Sequence, residues 1–484
     1  MPSWIKKTSD ITVDISSIKL IKTGSFFYLY SVFSGTFFEI DEYAFLLLNT
    51  MQTKRENAHN SIHRLKGRAD NGLTEAAAGE LEELAKLGVF SVLKKEYSRR
   101  SGLTTMNLDI TRNCNLGCKY CFAGTPINNT GNKPMDFETA KSALHYLAKH
   151  SASHPNRLNV VFFGGEPLLY FPLLKKIVKY AGTIKVEYGK DITFDIFTNG
   201  TILNKETVTF IKEKGLRILL SIDGPKQFHD KLRPLKNKDA STYDAIMQHV
   251  DEILQVDPGK IVIRSTLTKE NLCVTDTIET LAQKGFKNFV FEMVVTDNRD
   301  LLKYEEECSI FEGVIEKLAQ NFRGLVLRGI KVNLLSEPIK KILSPQDIPP
   351  ELCRSTCPAG RQFIIVSPEG DIYPCHYFAD RKHWKMGTIF DGKSQLFSMV
   401  DENKIADLNK GKICGDCWMR GHICGGQCPF KSLEINRQKG LFDKNHCYKE
   451  ETKNIVSLKV LKGLYPNRNY PFISTWRKNA GYLF

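Results

Sequence analysis

The sequence predicts an α/β chain built on a parallel sheet or barrel, with a small α+β domain before it and a cysteine-rich domain after it. Two observations carry this. From Leu103 to about Lys331, apolar runs of strand length alternate with helix-period patterns, as βα units require. Eight of the thirteen cysteines then crowd into residues 353–447, where that alternation has ended. The expected divisions are 1–95, 104–331, 345–450 and a C-terminal tail, 451–484.

Composition excludes several classes. A chain of 484 residues, 42% hydrophobic and 25% charged, is neither fibrous nor disordered. No apolar run approaches a membrane span, and MPSWIKKTSD lacks the apolar core of a secretory signal. A cytoplasmic location and no membrane partner are the expectation. An odd number of cysteines at short gaps reads as metal ligation in a reducing compartment rather than as disulfides. The net charge of +14 suits an anionic partner, but the lysines are scattered and no arginine-rich tract is present, so nucleic acid is disfavoured.

Before residue 95, Ile18-Lys19-Leu20-Ile21, Phe26-Phe27-Tyr28-Leu29-Tyr30 and Phe37-Phe38-Glu39-Ile40 read as three short strands separated by Gly24-Ser25 and Ser34-Gly35. Asp41 caps a helix with Ala44, Leu47, Leu48 and Met51 on one face. A second helix runs from about Thr74 to Leu87 through Leu81 and Leu84, with Gly88 at its end. Val89-Phe90-Ser91-Val92-Leu93 follows as a strand or wing.

In the middle segment the strands are Met106–Ile110, Leu158–Phe163, Ile192–Phe197, Leu216–Ile222, Ile261–Leu267 and Phe289–Val295. The intervening helix 136–149 carries Phe137, Ala140, Leu144 and Leu147 on one face behind Asp136 as its cap. Active groups belong at the C-terminal ends of such strands.

Directly after the first of these strands comes Cys114-Asn115-Leu116-Gly117-Cys118-Lys119-Tyr120-Cys121. Three thiolates on one short loop suit three corners of a cubane iron-sulfur cluster and leave the fourth iron without a protein ligand. A zinc site is the alternative for three cysteines alone. This CxxxCxxC, with an aromatic residue before its last cysteine, resembles the radical S-adenosylmethionine (SAM) superfamily. The resemblance implies a partial (β/α)6 barrel and an open iron that chelates SAM. One electron from the cluster then releases a 5′-deoxyadenosyl radical.

Phe163-Gly164-Gly165-Glu166-Pro167 ends the next strand. Its glycines allow close backbone approach, and its carboxylate can accept from an ammonium group. By resemblance, Gly164, Gly165 and Glu166 match the family's motif for the SAM amino group. Tyr120, Ser221 and Arg233 fall where further SAM contacts are found, Arg233 at the carboxylate. A local ion pair of Asp230 with Arg233 is the bland alternative. Thr198-Asn199-Gly200 and Ser221-Ile222-Asp223-Gly224-Pro225 end two later strands. Phe291-Glu292-Met293-Val294 reads as ordinary core strand, or as backbone lining an adenine pocket.

The C-terminal cysteines are Cys353, Cys357, Cys375, Cys414, Cys417, Cys424, Cys428 and Cys447, enough for two cubanes. Gly370-Asp371-Ile372-Tyr373-Pro374-Cys375 and the later run resemble the SPASM extension of radical SAM enzymes, although six residues, Trp418 to Ile423, separate Cys417 from Cys424 where five are usual. That pattern implies one auxiliary cluster on Cys357, Cys375 and Cys428, with Cys353 as an insecure fourth ligand. The other cluster would use Cys414, Cys417, Cys424 and Cys447. If Cys353 does not bind, an open auxiliary iron is left for a substrate thiolate. Cys273 and Cys308 read as buried apolar thiols.

With Cys357-Pro358-Ala359-Gly360-Arg361, Tyr373-Pro374-Cys375-His376-Tyr377-Phe378 and Cys417-Trp418, the chain resembles maturases of ribosomally made peptides. Its first 95 residues resemble their winged-helix leader-recognition domains. What this implies is three 4Fe-4S clusters, SAM, a precursor peptide with a leader, and a flavodoxin- or ferredoxin-like electron donor. The chemistry implied is hydrogen abstraction from a peptide carbon and closure of a side-chain crosslink, a thioether from cysteine above all. The alternative is a sulfatase-maturase-like enzyme making formylglycine; those enzymes resemble one another in an Asp after the equivalent of Cys375, where this chain has His376.

Overall fold

The computed structural model describes residues 18–23, 26–31, 36–67, 69–86, 102–121, 133–151, 156–236, 240–296, 298–343, 357–391, 419, 424, 428, 430 and 444–464. Strands β1 (Ile18–Thr23), β2 (Phe26–Ser31) and β3 (Thr36–Ile40) form an antiparallel meander in chain order. Their alternation decides its two faces. Ile18 and Leu29 pack on the helix Glu42–Lys54, while Ile21, Tyr28 and Tyr30 turn to the main core. Asp41 caps that helix by accepting from Ala44 N, and Ala44, Leu47, Leu48 and Met51 are its buried residues, as their spacing requires. A helix Ala58–Leu65 that the sequence reading omitted precedes Asn71–Lys86, which starts three residues earlier than expected. The expected wing, 89–93, lies outside the described residues.

Six parallel strands follow in spatial order: β4 (Thr105–Thr111), β5 (Arg157–Gly164), β6 (Asp191–Thr198), β7 (Arg217–Ser221), β8 (Ile261–Leu267) and β9 (Asn288–Met293). A two-residue β10 (Lys331–Val332) extends one edge in parallel. One face packs Phe162, Ile196, Ile218, Leu220 and Ile263 into the core beneath the helices. The other bears Phe163, Phe197, Arg264 and Glu292, whose side chains touch one another from strand to strand. Helix Phe137–Lys149 is capped by Asp136, which accepts from Thr139 N.

The sheet does not stop at its barrel strands. β11 (Phe363–Val366) pairs in parallel with β4, and β12 (Asp371–Tyr373) and β13 (Gly387–Thr388) continue it antiparallel, giving ten strands. The cysteine-rich segment, expected to be separate, is therefore stitched to the strand that carries the CxxxCxxC loop. Among the described residues no helix is long and apolar enough to cross a membrane.

Candidate functional site

The loop 114–121 is held in place by backbone. Gly117 N donates to Pro234 O (2.8 Å), Lys119 N to Leu232 O (2.9 Å) and Lys236 N to Asn115 O (3.0 Å), so segment 232–236 clamps it like an extra strand. Leu116 N (3.4 Å) and Asn199 Nδ2 (3.7 Å) both donate to Cys114 Sγ. Burial pushes the Cys114 thiol up, and the nearby Glu166 and Cys121 add to the rise. Cys118 is pushed up to about 11, first by burial, with Arg233 opposing and Cys121 adding. The three sulfurs therefore lie within one another's fields, and a positive metal centre would offset the burial that disfavours their thiolates. Among the described residues no three such groups are set to hold a single metal ion; a cubane assigns each thiolate its own iron.

The Gly164-Gly165 turn shows why no side chain is tolerated there. Gly164 has φ +122°, and a Cβ on it would stand 2.4 Å from Asp109 Oδ1; one on Gly165 would stand 2.2 Å from Asn113 O. Pressed this close, Gly165 N donates to Thr111 O (2.6 Å) and Glu166 N to Asn113 O (2.9 Å). Glu166 itself is fully buried. It accepts from Leu168 N (3.1 Å), Thr198 Oγ1 (2.9 Å) and Asn199 N (2.8 Å), and burial pushes it up to about 7 against those donors. Its carboxylate thus locks the ends of β5 and β6 together instead of standing open. The buried Asp109 Oδ1, by contrast, has no hydrogen-bond partner, and burial lifts this carboxyl to about 7 with Arg112 opposing.

Across the loop, Tyr120 donates to Asp223 Oδ2 and accepts from Arg233 Nη1 at 2.5 Å. Arg233 stands 3.7 Å from Asp223, whose other oxygen accepts from Thr266 N (3.0 Å). Asp230 does not pair with Arg233 in the way the bland alternative supposed; it accepts from Thr242 Oγ1 and Tyr243 N. Ser221 closes β7, half-buried, opposite Arg264 in register.

Three C-terminal thiols are also brought together. Burial pushes Cys375 up to about 12, and Cys357 and Cys428 add to it; Cys357 is raised by burial and by Cys428. They cluster with Ala359, Phe378 and Phe430. His376 lies between Phe163 (5.2 Å between ring centres) and Tyr377 (4.3 Å), and Tyr377 stacks on Phe430 (5.0 Å). Arg112, two residues before Cys114, ties this region to the first loop through Glu369 (3.0 Å) and Asp380 (2.5 Å). Cys353, Cys414 and Cys417 lie outside the described residues. Cys424 sits against the main core, and Cys447 is in the first turn of the helix Lys444–Leu464. Cys273 and Cys308 are half-buried rather than buried.

The sequence profile of the Radical SAM superfamily matches residues 108–306. A curated relative, the uncharacterized protein MJ0907 of Methanocaldococcus jannaschii, is 33% identical over 66% of this chain and 96% of its own length. The chain belongs to the radical SAM superfamily. The cysteine-type anaerobic sulfatase-maturating enzyme of Clostridium novyi is 26% identical over 73% of this chain and 94% of its own. Native anSMEcpe with bound AdoMet and Cp18Cys peptide superposes with a TM-score of 0.61 at 19% identity, covering 75% of this chain and 99% of that one. The fold is therefore the radical SAM α/β fold around a central parallel sheet, and the chain is related to the anaerobic sulfatase-maturating enzymes. Membership implies a 4Fe-4S cluster and SAM.

Sequence reasoning gave no role to Asp109, Arg112, Asp223 or Arg264, and gave Glu292 only a place in a core strand or in the backbone lining of an adenine pocket. The available signal was charge within or just after apolar strand runs, since a charge is kept there only with a partner or a task.

Proposed function

We propose that this radical SAM enzyme modifies a ribosomally made precursor peptide, taking a hydrogen atom from one of its residues and closing a side-chain crosslink, most simply a thioether from cysteine. The observation that carries this is the grouping of Cys357, Cys375 and Cys428 beside β11 and β12, strands that continue the sheet from β4, the strand leading into the first cysteine loop. Cys114, Cys118 and Cys121 would hold the SAM-binding cluster, with Gly164, Gly165, Tyr120, Ser221 and Arg233 around SAM and Glu166 bracing the loop. The bound cofactor supplies a 5′-deoxyadenosyl radical, chemistry no side chain can supply.

The chain's own residues orient and exclude water. The buried Asp223 fixes Tyr120 and Arg233, and the contiguous rings of Phe163, Phe197, His376 and Tyr377 would give a peptide an aromatic surface to lie along. Cys357, Cys375 and Cys428 would carry one auxiliary cluster, with Cys353 or a substrate thiolate on its last iron. Cys414, Cys417, Cys424 and Cys447 would carry a second. Residues 1–95 would capture the leader by adding it as a strand to the β1–β3 sheet. A flavodoxin- or ferredoxin-like donor and a reducing, cytoplasmic setting complete this reading.

A second reading, oxidation of a Cys or Ser to formylglycine, is supported by the sulfatase-maturating relatives. His376 after Cys375 and the N-terminal domain favour crosslinking over it. Mass spectrometry of a cysteine-containing peptide encoded beside this gene, after anaerobic turnover, separates them. Loss of two hydrogens with a thioether fragmentation pattern supports the crosslink. Replacement of the thiol by an aldehyde overturns it.

A further inference from the structure

The inward face over β5 to β9 carries Phe163, Phe197, Leu219 and Val290, and the Arg264–Glu292 ion pair interrupts this apolar surface. Arg264 stands beside Ser221 in register, and its guanidinium lies 5.1 Å over the Phe197 ring. Glu292 is the more open partner, its side chain 49% exposed against 26% for Arg264. On one side Thr266, the register partner of Glu292, donates to Asp223 of the Tyr120 network; on the other, Phe197 beneath Arg264 meets Phe163, which packs on His376 after Cys375. A half-exposed pair adds at most about 1 kcal/mol to stability, so folding gives little reason for two charges on this wall.

We propose that Glu292, with Arg264 as its positioning residue, selects a cationic side chain, Lys or Arg, in the substrate peptide. This rests on the reading of the chain as a peptide-modifying enzyme. Arg264 meets Glu292 at Oε2, so a peptide filling the lumen would strip water from Oε1, and that oxygen requires a donor or a positive charge in return. An acidic residue of the peptide would meet like charge at the same place, which rejects as strongly as a match attracts. Arg264 is committed to Phe197 and to Glu292 Oε2, so the acceptor that the pair offers a peptide is Glu292 Oε1.

The test uses anaerobically reconstituted full-length enzyme and a set of synthetic cysteine-containing peptides, each carrying one Lys or one Glu at successive positions. Fluorescence anisotropy reads binding, and SAM cleavage without peptide is scored on the same preparations. At one position the wild type should bind the Lys peptide at least about tenfold more tightly than its Glu counterpart. E292Q should erase that preference, and E292K should reverse it, a gain that misfolding cannot produce. A wild type with no Lys-over-Glu preference at any position overturns the proposal, as does a preference that both variants retain. Failure to bind any peptide, with SAM cleavage intact, instead removes the peptide reading on which the proposal stands.

Discussion

Arg233 reaches across the cysteine loop to donate to the Tyr120 hydroxyl at 2.5 Å, tying the aromatic residue of CxxxCxxC to the segment that clamps it. The third member of this contact is Asp223, whose side chain is fully buried. Two charges and a phenol without water hold each other in one arrangement, and removing one leaves another uncompensated.

Asp223→Asn should therefore destabilise the protein by about 3 kcal/mol, since a buried arginine loses its counter-charge. Calorimetry of the apoprotein should show a lowered and less cooperative transition. An unchanged midpoint would mean that Arg233 finds its compensation elsewhere.

Gly165→Ala should cost more than about 2 kcal/mol, because its Cβ would overlap Asn113 O, a backbone atom that cannot move aside without displacing the approach to Cys114. Gly182, in the helix Phe171–Tyr188 with nothing near its missing Cβ, is the control. Gly182→Ala should stabilise by about 0.5–1 kcal/mol. Equal effects from the two would contradict the tight-approach account.

Asp109 makes the apoprotein sensitive to pH. Its carboxyl titrates near 7 in the folded chain against 3.8 for an aspartate side chain in water, so the folded state binds the extra proton between those values. The sign follows: this contribution to stability is present at acid pH and is lost as pH rises towards and through about 7, by up to about 4 kcal/mol. Asp109→Asn should flatten that part of the pH–stability curve. An unaltered slope would show that the carboxyl is ionised throughout.

Cys118→Ala should abolish reductive SAM cleavage, whereas Cys428→Ala should retain part of it and lose peptide product. The readouts are 5′-deoxyadenosine and peptide mass on the same samples. Equal loss of both activities in Cys428→Ala would make the C-terminal thiols purely structural.

Much of this was legible in the sequence because local rules agreed with the tertiary outcome. Asp41 and Asp136 cap the helices their side chains announced, Ile261–Leu267 is a strand as its apolar run requires, and the two glycines mark the closest backbone approach. Three features were not legible, each for a long-range reason. The pairing of Phe363–Val366 with β4 joins segments some 250 residues apart, and no local pattern records it. Glu166 offered no sign that Thr198 and Asn199 would occupy its carboxylate. Glu292 read as part of a core strand or of an adenine-pocket backbone because its neighbours Phe289 and Phe291 are apolar; those two are buried, while the pleat turns the Glu292 side chain to the other face.

The measurement that bears most directly on the central claim is anaerobic reconstitution with iron and sulfide analysis, followed by dithionite reduction with SAM and the neighbouring precursor peptide. The expected result is about twelve irons per chain, three cubanes, and 5′-deoxyadenosine formed together with a peptide that has lost two hydrogens. Few irons or zinc, no SAM cleavage and an unmodified peptide would contradict it.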